Sequence, residues 1–271
     1  MLYSLLALSL AALAFAESSS AQSEEVPPWL ANEGVPPPGA NVPCDPSAKH
    51  PFPVVLVHGT FETMEQNWAV LSPRLKEKGY CVFALNYGNR GLEHFQGSAR
   101  ELDGFVDNVL AYTGAEKVSL VGHSQGGMMP RYWIKYLGGR SEVEDLVGIA
   151  PSNYGTELNK NDFQSELGIV DPCPACDQQQ AGSKFLKRLN RGDDTPGGGS
   201  FTQIATRYDE IIIPYTRCFL KGRELAENIT LQRYNEANVA NHQDIYNDPD
   251  AQTLVFDALR RPGPARPERV F

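Results

Sequence analysis

Short apolar runs recur along the chain, and each has the length and composition of a buried strand. They occupy residues 53–57, 81–85, 117–121 and 145–150, with later runs at 201–206 and 229–234. In the first four, apolar residues predominate, as in PVVLV at 53–57 and CVFAL at 81–85, where no polar residue alternates with them. This pattern is typical of parallel strands that are covered on both faces.

Between these runs lie segments in which apolar residues recur at helical spacing. In residues 100–112, for example, Leu102, Phe105 and Val109 fall on one face of a helix. The predicted helices are 67–78, 100–112, 127–137, 183–189 and 249–260. Alternation of buried strand and amphipathic helix predicts an α/β fold, with a mostly parallel sheet flanked by helices and right-handed crossovers.

The regular alternation stops over residues 151–200, where one short helix is the only predicted element. Loops of this length are usually functional or disordered. The segment follows a strand at the edge where a lid or cap would lie, and Phe185, Leu186 and Leu189 would form one apolar face. A mobile lid and a static wall of surface loops are both compatible with this pattern.

The two ends of the chain are predicted to lie outside the core domain. Residues 17–50 include a proline-rich arm, residues 51–260 hold the folded domain, and residues 261–271 form a tail with three prolines. Residues 2–16 are uncharged and apolar but too short to span a bilayer, which takes about 20 helical residues. A signal peptide over residues 1–16, or with cleavage after Ala21, explains them better than a buried helix, and it predicts a secreted protein.

Composition removes several classes of function. The 271 residues are 41% hydrophobic, which suits one large domain rather than a fibrous or disordered chain. Acidic residues outnumber basic ones by 33 to 24, and the formal charge is −9. Without a basic run to neutralise phosphates, we expect no nucleic-acid partner. No other segment is long and apolar enough to span a membrane. We also expect the protein to be a monomer.

Five cysteines become relevant if the chain is exported to an oxidising compartment. Two bridges and one free thiol can be arranged in 15 ways. A bridge between Cys44 and Cys81 would tie the arm to the core. Cys173 and Cys176 would either bridge locally or bind zinc, although zinc needs four ligands and only one CxxC is present. Cys218 is the expected free thiol.

A GxSxG motif at residues 122–126 follows a predicted buried strand and precedes a predicted helix. In this context the serine occupies a strained turn with its hydroxyl above the sheet, and Gly122 and Gly126 avoid collisions that a Cβ would cause. His123 lies within the same turn. Ser124 is therefore the candidate nucleophile, and a glycine-rich packing turn is the alternative.

A serine needs a base, and the base needs a carboxylate to orient it. His242 follows the last predicted strand in a polar loop and is the candidate base, with His94 as the second choice. Asp209 follows the strand at 201–206 and gives the chain order of nucleophile, acid and histidine. Glu210, one residue away, is expected to point elsewhere.

The tetrahedral intermediate of ester hydrolysis needs two donors to its oxyanion. The main-chain N–H of Gln125, at the start of a helix, is one candidate. The turn after the first strand opens at the same sheet edge, so Thr60 is predicted to supply the second donor with its N–H and hydroxyl.

Over residues 43–247 the chain resembles the class 2 triacylglycerol lipases, a secreted family of the α/β-hydrolase superfamily. The resemblance rests on VLVHGT at 55–60, GHSQGG at 122–127, APSNYGT at 150–156, CPAC at 173–176 and TRYDEIIIPY at 206–215. It implies the nucleophile, acid, base and oxyanion donors named above, and no metal or organic cofactor. The free cysteine and the tail match nothing in that pattern.

The leading hypothesis is therefore a serine esterase or lipase that acts through an acyl-enzyme, with a lipid or ester substrate at a lipid–water interface. A cutinase-like polyester hydrolase and an acyltransferase would use the same triad. A non-catalytic binding protein on a hydrolase scaffold is the remaining alternative, although such proteins lose a triad member and this chain retains all three.

Overall fold

The structure is a computed structural model, and it describes residues 33–222 and 225–271. The predicted signal peptide and both of its cleavage sites lie outside the described residues. Within the described part, six strands form one sheet in the order β2-β1-β3-β4-β5-β6, and every neighbouring pair is parallel. The strands are β1 (Val54–Val57), β2 (Val82–Leu85), β3 (Val118–His123), β4 (Val143–Ile149), β5 (Ser200–Ala205) and β6 (Ala226–Thr230).

Helices cover both faces of this sheet. The α-helices are α1 (Met64–Trp68), α2 (Leu71–Glu77), α3 (Gly88–Gly91), α4 (Phe95–Thr113), α5 (Gln125–Met128), α6 (Pro130–Tyr136), α7 (Lys160–Glu166), α8 (Pro174–Gln178), α9 (Lys184–Leu189) and α10 (Pro249–Leu259). Short 3-10 helices occupy Tyr215–Cys218, Leu231–Arg233, Ile245–Asn247 and Pro267–Arg269. The predicted α/β class and the parallel sheet are confirmed.

The core has two halves because successive strand residues point to opposite faces of the sheet. Val55 and Val57 of β1 join a cluster with α4 and α6, whereas Val54 and Leu56 join a cluster with α1, α2 and α10. All six residues of β3 are buried. The turn that follows β3 is therefore anchored at the centre of the molecule.

The helix predicted over 67–78 is two helices in the structure. Thr63 caps α1, with its hydroxyl accepting from the N–H of Gln66, so the first helix begins earlier than predicted. Pro73 lies within α2 and has no N–H to donate to the carbonyl of Ala69. A continuous helix over 67–78 would therefore lose a hydrogen bond at Ala69, and the chain bends there instead.

The last strand also differs from its prediction. β6 is Ala226–Thr230, and Leu231–Arg233 forms a 3-10 helix where the sequence pattern indicated strand. The register pairs Ala205, the last residue of β5, with Thr230. Beyond that pair β6 has no neighbour in the sheet, and the side chain of Gln232 turns inward to accept from the N–H of Arg207.

The segment 151–200 contains three helices, α7, α8 and α9, where one was predicted. Phe185, Leu186 and Leu189 do share one face of α9, but that face is buried in the core. The ring of Phe185 lies 4.8 Å from Phe95 on α4 and 5.6 Å from Tyr132 on α6, measured between ring centroids. This part of the segment packs as a wall, and motion of any other part of it stays a prediction.

An asparagine links a neighbouring segment of chain to each edge strand of the sheet, and at β2 it pairs with main-chain groups of the strand. At the β2 edge, Asn41 of the arm donates from its main chain to Val82 and exchanges two side-chain hydrogen bonds with Ala84. At the β6 edge, the amide of Asn228 exchanges two hydrogen bonds with the main chain of Leu220. The arm is thus fixed to one edge of the sheet along its described part.

The C-terminal residues fold back onto the domain instead of projecting from it. Ala265 is buried, and its N–H donates to the hydroxyl of Thr202 on β5. The carboxylate of Asp257 on α10 binds the side chains of Arg260 and Arg261. The segment that was predicted as a tail is therefore part of the packed structure.

Candidate active site

Ser124 stands in the turn between β3 and α5 with a backbone conformation that L-residues rarely adopt. Its φ is 52° and its ψ is −119°. A Cβ on Gly122 would collide with the carbonyl of Gly126, and a Cβ on Gly126 would collide with the carbonyl of Val57. Both glycines are therefore required by close approach of the turn to its own helix and to β1, as the motif predicts.

The three residues predicted as a triad meet above the carboxyl edge of the sheet. The hydroxyl of Ser124 is 3.0 Å from Nε2 of His242, and Nδ1 of His242 is 3.0 Å from Oδ2 of Asp209. Asp209 is itself fixed, because its Oδ1 accepts from the N–H groups of Ile211 and Ile212. The chain thus places a hydroxyl, an imidazole and an oriented carboxylate in one line of hydrogen bonds.

All three side chains are shielded from solvent, with 4% of Ser124, 1% of His242 and 7% of Asp209 exposed. Burial alone would lower the pKa of His242, but the Asp209 carboxylate and its hydrogen bond, followed by the charges of Glu210 and Glu62, raise the pKa above its usual value. A histidine with a raised pKa is a stronger base once it is neutral. The imidazole is therefore suited to take the proton of the neighbouring hydroxyl.

The predicted oxyanion residues lie beside each other. The Thr60 hydroxyl donates to Oε1 of Gln125 over 2.7 Å, and both residues are buried. Gln125 is the first residue of α5, so its N–H points away from the helix at the positive end of the dipole. The hydroxyl of Thr60 is directed to a side chain in this structure, so the main-chain N–H groups are the better candidates for oxyanion donors.

Sequence reasoning missed a glutamine that contacts this pair. Nε2 of Gln179 donates to the Thr60 hydroxyl over 2.9 Å, and Gln179 is fully buried at the end of α8. No motif marks this glutamine, because it is 119 positions away from Thr60 and lies in the irregular segment. The CPAC sequence that precedes it was the available signal.

Other predicted candidates lie in different surroundings. Glu210, which was expected to point elsewhere, accepts from the main-chain N–H of His242 over 3.0 Å. His94, the second choice for the base, is exposed at the start of α4. Within the described residues, no three or more His, Cys, Asp or Glu side chains are grouped so that they could hold a metal ion.

The cysteines resolve the pairings that the sequence left open. Cys44 bridges to Cys81 and Cys173 bridges to Cys176, while Cys218 is a buried free thiol. Because the CxxC sulfurs are bonded to each other, the zinc alternative is wrong. Helices long and apolar enough to cross a membrane do not occur in the part of the chain that the structure describes.

Comparison with known sequences finds relatives over most of the folded chain. The sequence profile of the family Lipase (class 2) matches residues 51–254. A triacylglycerol lipase of Burkholderia plantarii is 37% identical over 139 residues, which cover 49% of this chain and 38% of that protein. A triacylglycerol lipase of Pseudarthrobacter phenanthrenivorans is 37% identical over 135 residues, which cover 48% and 41%. The matched part therefore spans about two fifths of each relative.

Solved structures share the fold at low sequence identity. Aspergillus fumigatus lipase B superimposes with a TM-score of 0.73 at 22% identity and covers 89% of this chain and 66% of its own. The mature form of Bacillus licheniformis lipase BlEst2 gives a TM-score of 0.57 at 16% identity, with coverages of 75% and 90%. Likeness at these identities concerns architecture alone, and the architecture is the α/β-hydrolase fold.

Proposed function

Because this chain belongs to the class 2 lipase family, we propose that it hydrolyses carboxylic esters of lipids through an acyl-enzyme on Ser124. The observation that carries this proposal is the line of hydrogen bonds from the Ser124 hydroxyl through His242 to Asp209, with both bonds at 3.0 Å. Each group has the partner that its role requires.

In the first half-reaction, Oγ of Ser124 attacks the ester carbonyl while its proton passes to Nε2 of His242. Asp209 accepts from Nδ1 and stabilises the imidazolium that forms. When the tetrahedral intermediate collapses, the bond to the alcohol oxygen breaks and His242 protonates the leaving alcohol. Water then repeats the sequence on the acyl-enzyme, which releases the carboxylic acid and restores the serine.

The negative oxygen of each tetrahedral intermediate would be held by the N–H groups of Gln125 and Thr60. The N–H of Gln125 gains from the helix dipole. Gln179 supports this arrangement, because its amide holds the Thr60 hydroxyl. Loss of a single oxyanion donor typically costs about 10²–10³ in kcat.

Exposed apolar side chains on the acid and base loops support a lipid substrate. Tyr208, beside Asp209, is 53% exposed, and Val239, three residues before His242, is 77% exposed. Ile213 on the acid loop is also exposed. Isolated apolar residues on a surface are common, but three on the loops that carry Asp209 and His242 favour contact with acyl chains at an interface.

The proposed activity is tested with a fluorophosphonate that reacts only with an activated serine. Wild-type protein should be labelled with a stoichiometry of one, and Ser124→Ala should not be labelled. Absence of wild-type labelling, or labelling that persists in Ser124→Ala, would contradict the assignment. A series of p-nitrophenyl esters from acetate to palmitate, with emulsified triolein beside it, then defines the acyl chains that are accepted.

Export is a separate part of the proposal. It is supported by the apolar segment 2–16 and by the two disulfides, which form in oxidising compartments. N-terminal sequencing of protein recovered from the medium should find Glu17 or Gln22 as the first residue. Recovery of Met1 from the medium would show that the segment is not removed.

A further inference from the structure

We propose that Glu62 and His123 form one positioning unit, which holds the loop of His242 against the turn of Gly59 during the hydrolysis proposed above. Neither side chain would touch the substrate. The unit joins three parts of the site that come from distant stretches of sequence: the turn after β1, the end of β3 and the loop after β6.

The contacts that build this unit are all within hydrogen-bond distance. Oε2 of Glu62 accepts from the N–H of Gly59 over 2.9 Å and lies 3.0 Å from Nδ1 of His123. On the other side of the same ring, Nε2 of His123 lies 3.0 Å from the carbonyl oxygen of His242. The imidazole therefore bridges a carboxylate and the main chain of the proposed base.

Each ring nitrogen of His123 lies beside an oxygen, Nδ1 beside the Glu62 carboxylate and Nε2 beside the carbonyl of His242. A ring nitrogen that carries a proton can donate to either kind of oxygen. Burial would raise the pKa of Glu62, but its interactions with His123 outweigh burial and lower that pKa, which favours the ionised carboxylate.

Further groups enclose the pair. The His123 ring lies 4.7 Å from the ring of Tyr246 and 5.0 Å from that of His242, between centroids. The charge of Glu62 also acts on Tyr246, and His58 faces the same carboxylate. Only 2% of the His123 side chain is exposed, so the imidazole has little room to turn away from its two acceptors.

The unit completes the support of His242. Glu210 holds the N–H of His242 and His123 holds its carbonyl, so the main chain of the base is held on both sides. The side chain then has to keep both 3.0 Å hydrogen bonds of the triad. Displacement of a catalytic group by about 1 Å can cost about 10²-fold in rate. A loosened His242 loop should therefore slow acylation without changing how the ester binds.

The test compares Glu62→Ala, Glu62→Gln, His123→Ala and the double alanine variant in the full protein. The conservative substitution Glu62→Gln keeps a side-chain oxygen that can accept from the N–H of Gly59. Glu65→Ala is the matched control, because Glu65 is an exposed glutamate three residues along the same segment. Each variant is measured for fluorophosphonate stoichiometry, for the rate of labelling, and for kcat and KM on p-nitrophenyl butyrate.

We expect both single alanine variants to be labelled to one per chain, to lose about 10²-fold in labelling rate and kcat, and to keep KM. The double variant should lose no more than the worse single one, because the pair acts through one carbonyl. Glu62→Gln should recover most of the loss, and Glu65→Ala should stay within about twofold of wild type.

Wild-type rates in fully labelled Glu62→Ala and His123→Ala would overturn the positioning role. So would equal losses in Glu62→Gln and Glu62→Ala, or multiplied losses in the double variant. If an alanine variant fails to fold, Glu62→Gln and the remaining single variant still decide the matter through the same rates. Failure of wild type to be labelled, in contrast, would overturn the proposed function itself and not only this unit.

Discussion

Replacing Asp209 by asparagine should inactivate the enzyme by reversing one hydrogen bond. Oδ1 of Asp209 accepts from the N–H groups of Ile211 and Ile212. In Asp209→Asn these two donors require the amide oxygen at that position, so the amide NH₂ is turned toward Nδ1 of His242. Nδ1 then has to accept, the proton of the neutral ring moves to Nε2, and the ring can no longer take the proton of Ser124.

The expected loss is about 10⁴-fold in kcat, as for other hydrolases in which the triad tautomer is reversed. At 1.36 kcal/mol for each factor of ten, this corresponds to about 5.4 kcal/mol of transition-state stabilisation. Removal of Asp209 should also lower the pKa of His242, because the charge and hydrogen bond of Asp209 oppose the effect of burial on that pKa. The pH at which the residual kcat falls on the acid side should therefore be lower than in wild type.

Initial rates on p-nitrophenyl butyrate from pH 5 to 9 measure both effects, with concentrations of folded protein matched by circular dichroism. Glu210→Gln is the control that separates charge from tautomer. Its amide oxygen can still accept from the N–H of His242, so kcat should be nearly kept, while loss of the charge moves the acid limb to lower pH. A loss below about tenfold in Asp209→Asn would refute the tautomer argument.

Three further predictions concern pH, disulfides and the core. Wild-type kcat/KM should fall as the pH drops through a value above 6.5, because the pKa of His242 is raised and only its neutral form acts as base; a limb below 6.5 would contradict this. Loss of the bridge between Cys44 and Cys81, which has a sequence separation of 37, should lower the free energy of unfolding by about 4 kcal/mol. Loss of the bridge between Cys173 and Cys176, with a separation of 3, should lower it by only about 1.6 kcal/mol. Urea denaturation of the two double alanine variants measures both losses. Phe185→Ala should cost about 3–5 kcal/mol in the same assay if α9 is a fixed wall, whereas a loss below about 1 kcal/mol would favour a detachable lid.

The parts of the molecule that the sequence predicted are those with a local cause. The strand preceding Ser124, the glycines of its turn and the order of nucleophile, acid and base are all visible in short stretches of chain. The parallel sheet then brings the ends of β3, β5 and β6 to one edge, so Asp209 and His242 could be placed without any knowledge of contacts. Pro73 was visible too, and it marks the helix break that hydrophobic spacing alone overlooks.

The rest depends on contacts between distant residues, for which a single sequence holds no signal. Gln179 contacts a threonine 119 positions away, and Glu62 lies 61 positions from His123. Glutamine and glutamate occur throughout the chain, and apart from the CPAC sequence before Gln179 nothing in their neighbours distinguishes these two. The contact of Glu210 is equally invisible in the sequence, because its partner is a main-chain N–H, which no pattern of residue types reveals.

The asparagine at the β2 edge of the sheet has a consequence for self-association. Open strand edges offer unpaired main-chain groups to which a second chain can add, and this is a common route to aggregation. Asn41 occupies the polar groups of Ala84 at one edge, and Asn228 joins the other edge to Leu220. The bridge from Cys44 to Cys81 ties the segment of Asn41 to the start of β2, so we expect its reduction to loosen this cover and to favour intermolecular pairing at β2.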